Sequence, residues 1–260
     1  MKILACTAVI LEVMVLLIRA ELVSAQASKG NPAQQGNDDR VVESPKNGDL
    51  AVAEERMKAA DVINLKRIAL ALHNYHDSFN TLPAAYLSKE KKPLLSWRVL
   101  ILPYLEDRAD GNNALYKQFH LDEPWDSAHN KLLVEKIPKA YLAPTSEHKD
   151  GRTVYLTPRG QATAFPGASS IRMAQITDGT SNTIAVVEVA DEHAVPWTKP
   201  NDWEFDPDNP LAELGGHYTE GGFHAAYCDG RVRFISNTID QKTLAGLFTR
   251  NGGEPLPPPK

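Results

Sequence analysis

The sequence predicts an α+β fold, a long amino-terminal helix packed on an antiparallel β-sheet with several short helices and long loops. Three observations carry that reading. Leu65, Ile68, Leu72, Tyr75 and Phe79 recur at alternating spacings of three and four, which places them on one helical face. Residues 152–157, 183–189 and 222–234 are rich in Val, Ile, Thr and Tyr with Gly and Asp at the breaks, as strands are. Asp229-Gly230 separates two alternating segments, the favoured signature of a hairpin with a two-residue type I′ turn, so both residues are structural turn candidates.

The elements follow in order. Residues 1–25 read as a secretory signal, with Lys2, an apolar run over 3–18, and Val23-Ser24-Ala25 before Gln26. That run contains Glu12 and falls short of the roughly 20 apolar residues a spanning helix needs, so no membrane span is expected after cleavage. Residues 26–48 are Gln, Asn, Asp, Gly, Pro and Ser with little to bury, the composition of a disordered linker. A single domain over 49–253 is long enough for a sizeable core, and residues 254–260 form a Pro-rich, extended tail. Within the domain Asp49 caps a helix running to Ser78, whose opening turns carry Glu54, Glu55, Arg56, Lys58 and Asp61 and are polar nearly all round. Ser96 caps a helix over 97–105 that Pro103 kinks or ends. Residues 114–119 and 127–136 read as short helices, and Asp240 caps a last one that Asn251 and Gly252 close.

Composition excludes several functions. With 42% apolar and 23% charged residues the chain is an ordinary globular one. Its 28 Lys and Arg against 33 Asp and Glu leave a net charge of −5, so no basic excess meets a phosphate backbone and no nucleic-acid partner is expected. Cys6 lies in the signal, which leaves Cys228 alone and no disulfide in the exported protein. No enzyme is expected. The segment 178–183 offers a polar turn instead of a nucleophile elbow, and His224 and Cys228, four apart on one strand, are separated by about 13 Å. No cofactor is required, and calcium is the ion that the acidic loop suggests. Asp206 and Asp208 alternate with Pro207 in an acidic loop, and with His217 and Asp229 they are the candidate metal ligands. The competing reading is a rigid surface loop set by Pro207 and Pro210. Trp197 and Trp203 bracket a polar segment and are the candidate binding residues, able to stack on sugars or peptide side chains unless they are core.

Six segments resemble one bacterial family: INLKRIALALHNYHD (63–77), SWRVLILPYLE (96–106), LYKQFHLDEPWDSAHN (115–130), ITDGTSNTIAVVE (176–188), AVPWTKP (194–200) and GGFHAAYCDGRVRFIS (221–236). The chain is identified as a member of domain-of-unknown-function family 1559, whose carboxy-terminal prepilin-type processing-associated motif places a His nine residues before Asp-Gly. Here eleven residues separate His217 from Asp229, and the prepilin Gly-Phe-Thr-Leu-Ile-Glu motif is missing. The resemblance implies a pseudopilin-like helix-on-sheet domain. It also implies a secreted or periplasmic, non-enzymatic structural or interaction protein of the cell envelope, partnered by an envelope or extracellular protein or glycan. The alternative is an extracellular solute- or glycan-binding protein, with or without calcium.

Overall fold

A computed structural model describes residues 47–89, 92–105 and 111–253. The signal segment, nearly all of the expected linker and the Pro-rich tail lie outside the described residues. The chain divides into two compact units, Met1–Ala59 and Ala60–Lys260, with the boundary inside the first described helix. In the first unit residues 47–59 are helical, and Lys58 Nζ lies 3.1 Å from Glu55 and 3.4 Å from Glu54. Apart from the start of that helix, everything below concerns the second unit.

The helix, α1 (Asn47–Phe79), has Asp49 inside its first turn rather than at the cap, where its charge still suits the positive helix end. Its apolar stripe is buried at Leu65, Ile68 and Leu72, as the spacing requires, whereas Phe79 at the end of the helix is exposed. Strands β1 (Tyr86–Lys89) and β2 (Lys92–Ser96) pair antiparallel. Ser96 then caps α2 (Trp97–Leu100), its hydroxyl accepting from the Arg98 N–H at 3.3 Å. The single helix expected over 97–105 is broken: α2 ends after one turn, and Leu102–Tyr104 continue as a 3₁₀ turn carrying Pro103. Helix α3 (Gly111–Tyr116) starts earlier than expected, and the segment expected as a helix over 127–136 is 3₁₀ over Asn130–Lys136.

The main sheet is four-stranded and antiparallel. Its order is β10 (Val232–Ser236), β9 (Gly222–Tyr227), β6 (Ile184–Glu188), β4 (Tyr155–Leu156). Every residue of β6 and β9 is buried, so these two central strands are covered on both faces, whereas the edge strand β10 is half-buried. Smaller pairings join β3 (Arg152–Thr153) to β7 (Val195–Pro196) antiparallel, and β5 (Pro158–Arg159) to β8 (Trp203–Glu204) parallel. Asp240 caps α4 (Gln241–Phe248), accepting the Thr243 N–H at 2.8 Å. One hydrophobic cluster unites α1, β2, α2, the main sheet and α4. Among the described residues no helix is long and apolar enough to cross a membrane.

The hairpin between β9 and β10 departs from the expected turn. The Gly230 N–H bonds the Tyr227 carbonyl and the Tyr227 N–H bonds that of Arg231, while Gly230 is the turn residue at positive φ, 87°. Asp229 is not at positive φ. This is the geometry of a type I turn through Cys228 and Asp229 followed by a left-handed glycine bulge, not of a type I′ turn. The Asp229 carboxylate accepts from the Arg231 backbone N–H at 3.0 Å and from its Nε at 2.6 Å, which holds the turn from outside.

A second device is a buried ion pair. Arg98 and Asp202 side chains are both fully buried, with Nη2 2.6 Å from Oδ1. The same Asp202 oxygen accepts the Trp97 indole N–H at 3.0 Å and the Thr157 N–H at 3.1 Å. Arg98 also donates to the Tyr155 carbonyl at 3.1 Å and to that of Asn201 at 3.3 Å, so one side chain ties α2 to β4 and to the segment before β8.

Candidate functional site

The densest group of chemistry-bearing side chains is inside the second unit, where α1 meets the sheet. Asp61 lies four residues before Leu65 and so extends the apolar stripe of α1 by one turn, which carries its carboxyl inward. Glu188 ends the buried strand β6, and its cross-strand partner in β4 is Tyr155. Tyr218 arrives on the loop before β9, and His224 is in β9 itself. Asp61 and Glu188 are 0% exposed, and Tyr218 and His224 4% and 5%.

Two glycine pairs shape that loop. A Cβ on Gly215 (φ 77°) would sit 2.5 Å from the Gly222 carbonyl oxygen, and one on Gly222 (φ 147°) would overlap the Ile235 carbonyl and the Phe234 ring. This loop is therefore tightly packed, and glycine is what lets its ends approach. The Gly215 N–H bonds the Glu188 carbonyl at 3.1 Å, which brings His217 and Tyr218 over the end of β6.

The Tyr155 hydroxyl donates to Asp61 Oδ1 at 2.5 Å. The Tyr218 oxygen lies 2.9 Å from Asp61 Oδ2, 3.0 Å from Glu188 Oε1 and 2.9 Å from His224 Nδ1. The His224 backbone N–H donates to Glu188 Oε2 at 2.6 Å. Burial first, and the neighbouring Glu188 charge second, push the Asp61 carboxyl up to about 7, against the lowering effect of the Tyr155 and Tyr218 hydrogen bonds and of His217. Burial and the same two carboxyls hold both tyrosine hydroxyls above the usual phenol range. Chemically, the arrangement can hold and share a proton out of contact with bulk water.

The residues singled out from the sequence are placed elsewhere or differently. Trp197 is 0% exposed, its indole N–H donating to the Val134 carbonyl at 2.9 Å and its ring packed between Tyr141 and Phe119. Trp203 is 2% exposed, donates to the Ala212 carbonyl at 3.0 Å and packs on Phe248. Both are core side chains, and neither offers a face for stacking on a ligand. Asp206 and Asp208 are exposed, Asp206 accepting the Asp208 N–H at 3.0 Å within the loop. His217 is buried and donates from Nε2 to the Val189 carbonyl at 2.7 Å, and Asp229 is committed to Arg231. Among the described residues no group of three or more His, Cys, Asp or Glu is placed to hold a metal ion, so these four are not brought together. In the polar turn at 178–183, the Asp178 carboxylate accepts from the backbone N–H groups of Gly252 and Gly253, and the Thr183 hydroxyl shares its one proton between the Gly179 and Thr249 carbonyls, each 3.2 Å away. Burial pushes the Cys228 thiol well above its usual range.

Sequence reasoning missed Asp61, Glu188 and the Arg98–Asp202 pair. Asp61 falls among the polar opening turns of α1, and its position one turn before Leu65 is the signal that sets it apart from them. Another missed residue is Asn130, 0% exposed, whose amide donates to the carbonyls of His120, Glu123 and Pro124 and accepts the His120 N–H. It closes the loop that the segment 115–130 forms.

Residues 62–164 and 139–215 match the model of a family, SBP_bac_10, described as a protein of unknown function (DUF1559). Together the matches span more than half of the chain. Comparisons with curated proteins and with solved structures found no match.

Proposed function

Since the chain belongs to the family of proteins of unknown function designated DUF1559, we propose that it is a non-enzymatic structural or interaction protein of the bacterial cell envelope, pseudopilin-like in its helix-on-sheet plan. The observation that carries this reading is the inward disposition of the reactive groups. Asp61, Glu188, Tyr218, His224 and Cys228 are all at or below 5% exposed, and the first four bond to one another. Catalysis needs such groups within reach of a substrate atom. The signal-like segment over 1–25 supports export, and the long α1 leading into an antiparallel sheet supports the pseudopilin comparison. The solute- or glycan-binding alternative rested on Trp197 and Trp203, whose rings are core.

The test is a tagged copy expressed in the native host, fractionated into cytoplasm, membranes, periplasm and medium, with each fraction assayed against ester, peptide and glycoside substrates. Recovery outside the cytoplasm in an assembly larger than the monomer, without turnover, supports the reading. Cytoplasmic recovery, or turnover abolished by His224→Ala, overturns it.

A further inference from the structure

We propose that the seat of residues 60–79 of α1 on the sheet is a proton-dependent latch, in which Asp61, Tyr218 and Glu188 share one proton beyond those of the phenols, so that the contact is firm in acidic surroundings and loosens in alkaline ones. The argument is a count of donors. A phenol brings one proton and can donate once. The Tyr218 oxygen nevertheless has Asp61 Oδ2, Glu188 Oε1, Glu188 Oε2 and His224 Nδ1 within 2.9 to 3.2 Å. With both carboxyls ionised, the single Tyr218 proton serves one of them, and the other sets a charged oxygen against a phenolic lone pair at hydrogen-bond distance.

Among the described residues His224 Nδ1 lies 3.4 Å from Glu188 Oε2 but closer, 2.9 Å, to the phenol oxygen, so it brings no donor to Glu188 Oε1 or to Asp61 Oδ2. The Tyr155 hydroxyl serves the other Asp61 oxygen, and the His224 backbone N–H serves Glu188 Oε2. Thr145 reaches Asp61 Oδ2 only at 3.4 Å. A proton on Asp61 Oδ2 resolves it in one step: Asp61 donates to the Tyr218 oxygen, and Tyr218 donates to Glu188. His224 then completes the shell, its Nδ1 2.9 Å from the same phenol oxygen.

The charged and titratable groups around Asp61 come from every packed element. Glu188 is on β6, Tyr155 on β4, His217 and Tyr218 on the loop before β9, and His224 on β9. Lys149 acts from the segment before β3 and Asn64 is one turn along α1, while β10 contributes the uncharged Phe234 ring. Glu188 opposes a second negative charge, and His217 favours it. Burial is the largest influence and also opposes ionisation, so the proton is retained to about neutral pH.

Thermal unfolding of the protein between about pH 5 and pH 8.5 tests the latch. The wild-type Tm should fall by roughly 5–10 °C over that range. Asp61→Asn, whose amide supplies the donor permanently, should fall by less than about half as much. A flat wild-type profile, or an Asp61→Asn profile parallel to the wild type, overturns the proposal. A direct readout covers the case in which the variant does not fold. Infrared spectra of the wild-type protein should show a protonated carboxylic acid at pH 6 that is gone by about pH 8.5, with hydrogen exchange of residues 60–79, corrected for its intrinsic pH dependence, rising in step. Absence of that band at pH 6, or exchange that does not change with its loss, overturns the proposal.

Discussion

Replacing Arg98 by Met retains the apolar stem and removes the guanidinium from a site where both partners are fully buried. Asp202 would keep the Trp97 and Thr157 N–H donors on Oδ1, but its charge would be uncompensated, and Oδ2 has no hydrogen-bond partner even with Arg98 present. The carbonyls of Tyr155 and Asn201 and the Ser96 hydroxyl would lose a donor as well. Breaking a buried pair in this way costs about 3–5 kcal/mol. For a unit of this size that corresponds to a Tm lower by roughly 10 °C. Asp202→Asn alone should also be costly, since it strands the guanidinium. The double variant Arg98→Met/Asp202→Asn removes both charges while leaving an amide oxygen for Trp97 and Thr157, so it should recover on the order of 1.5–3 kcal/mol relative to the sum of the singles. Urea unfolding at pH 7 gives all three numbers, provided the slope m is unchanged. If Arg98→Met costs less than about 1 kcal/mol, or the double equals the sum, Arg98 is not the strut described here and its charge has access to water.

Three further outcomes follow from named contacts. Gly222→Ala should cost several kcal/mol by urea unfolding, because its Cβ would overlap the Ile235 carbonyl and the Phe234 ring, whereas Gly230→Ala meets only His73 Nε2 at 3.7 Å and should cost about 1 kcal/mol of backbone strain. Equal costs at the two positions would contradict the close packing of the loop against the hairpin. Cys228, buried with its thiol held protonated, should resist alkylation at pH 8 in the folded protein and react fully in denaturant, as peptide mass spectrometry would show. Asn130→Asp should be worse than Asn130→Ala in thermal melts, by about 1 kcal/mol or more, because it sets a carboxylate against the three carbonyl oxygens that the amide now serves.

What could be read from the sequence was local. The α1 stripe is legible because a spacing of three and four has one structural meaning, and β6 and β9 because long Val, Ile, Phe and Ala segments bounded by Gly and Asp have few others. The hairpin was legible in place but not in type. Asp-Gly fits either a type I′ turn or the end of a type I turn with a glycine bulge, and both put glycine at positive φ. The extra residue that decides between them is Cys228, whose neighbours are fixed by the register of β9 against β10 and against β6. The tryptophans were misplaced for a related reason. A large ring beside Pro and polar residues has the same local pattern whether it stacks on a ligand or anchors a loop, and the partners of Trp197, Val134 and Phe119, lie far along the chain.

The polar cluster was illegible because its logic is not local at all. Asp61 bonds partners 94 and 157 residues away, and Glu188 bonds Tyr218 across 30. A window along the chain shows only a carboxylate on a helix and another after an apolar strand, each of which reads as a surface charge. Yet each also interrupts an apolar pattern, and a charge on a buried face costs several kcal/mol unless partners meet it. Two such interruptions, with Arg98 the one Lys or Arg side chain fully buried among the described residues and already paired to Asp202, imply that the carboxyls answer each other. Two buried carboxyls that answer each other require hydroxyl or imidazole donors between them and a retained proton, which is the role the structure gives to Tyr155, Tyr218 and His224.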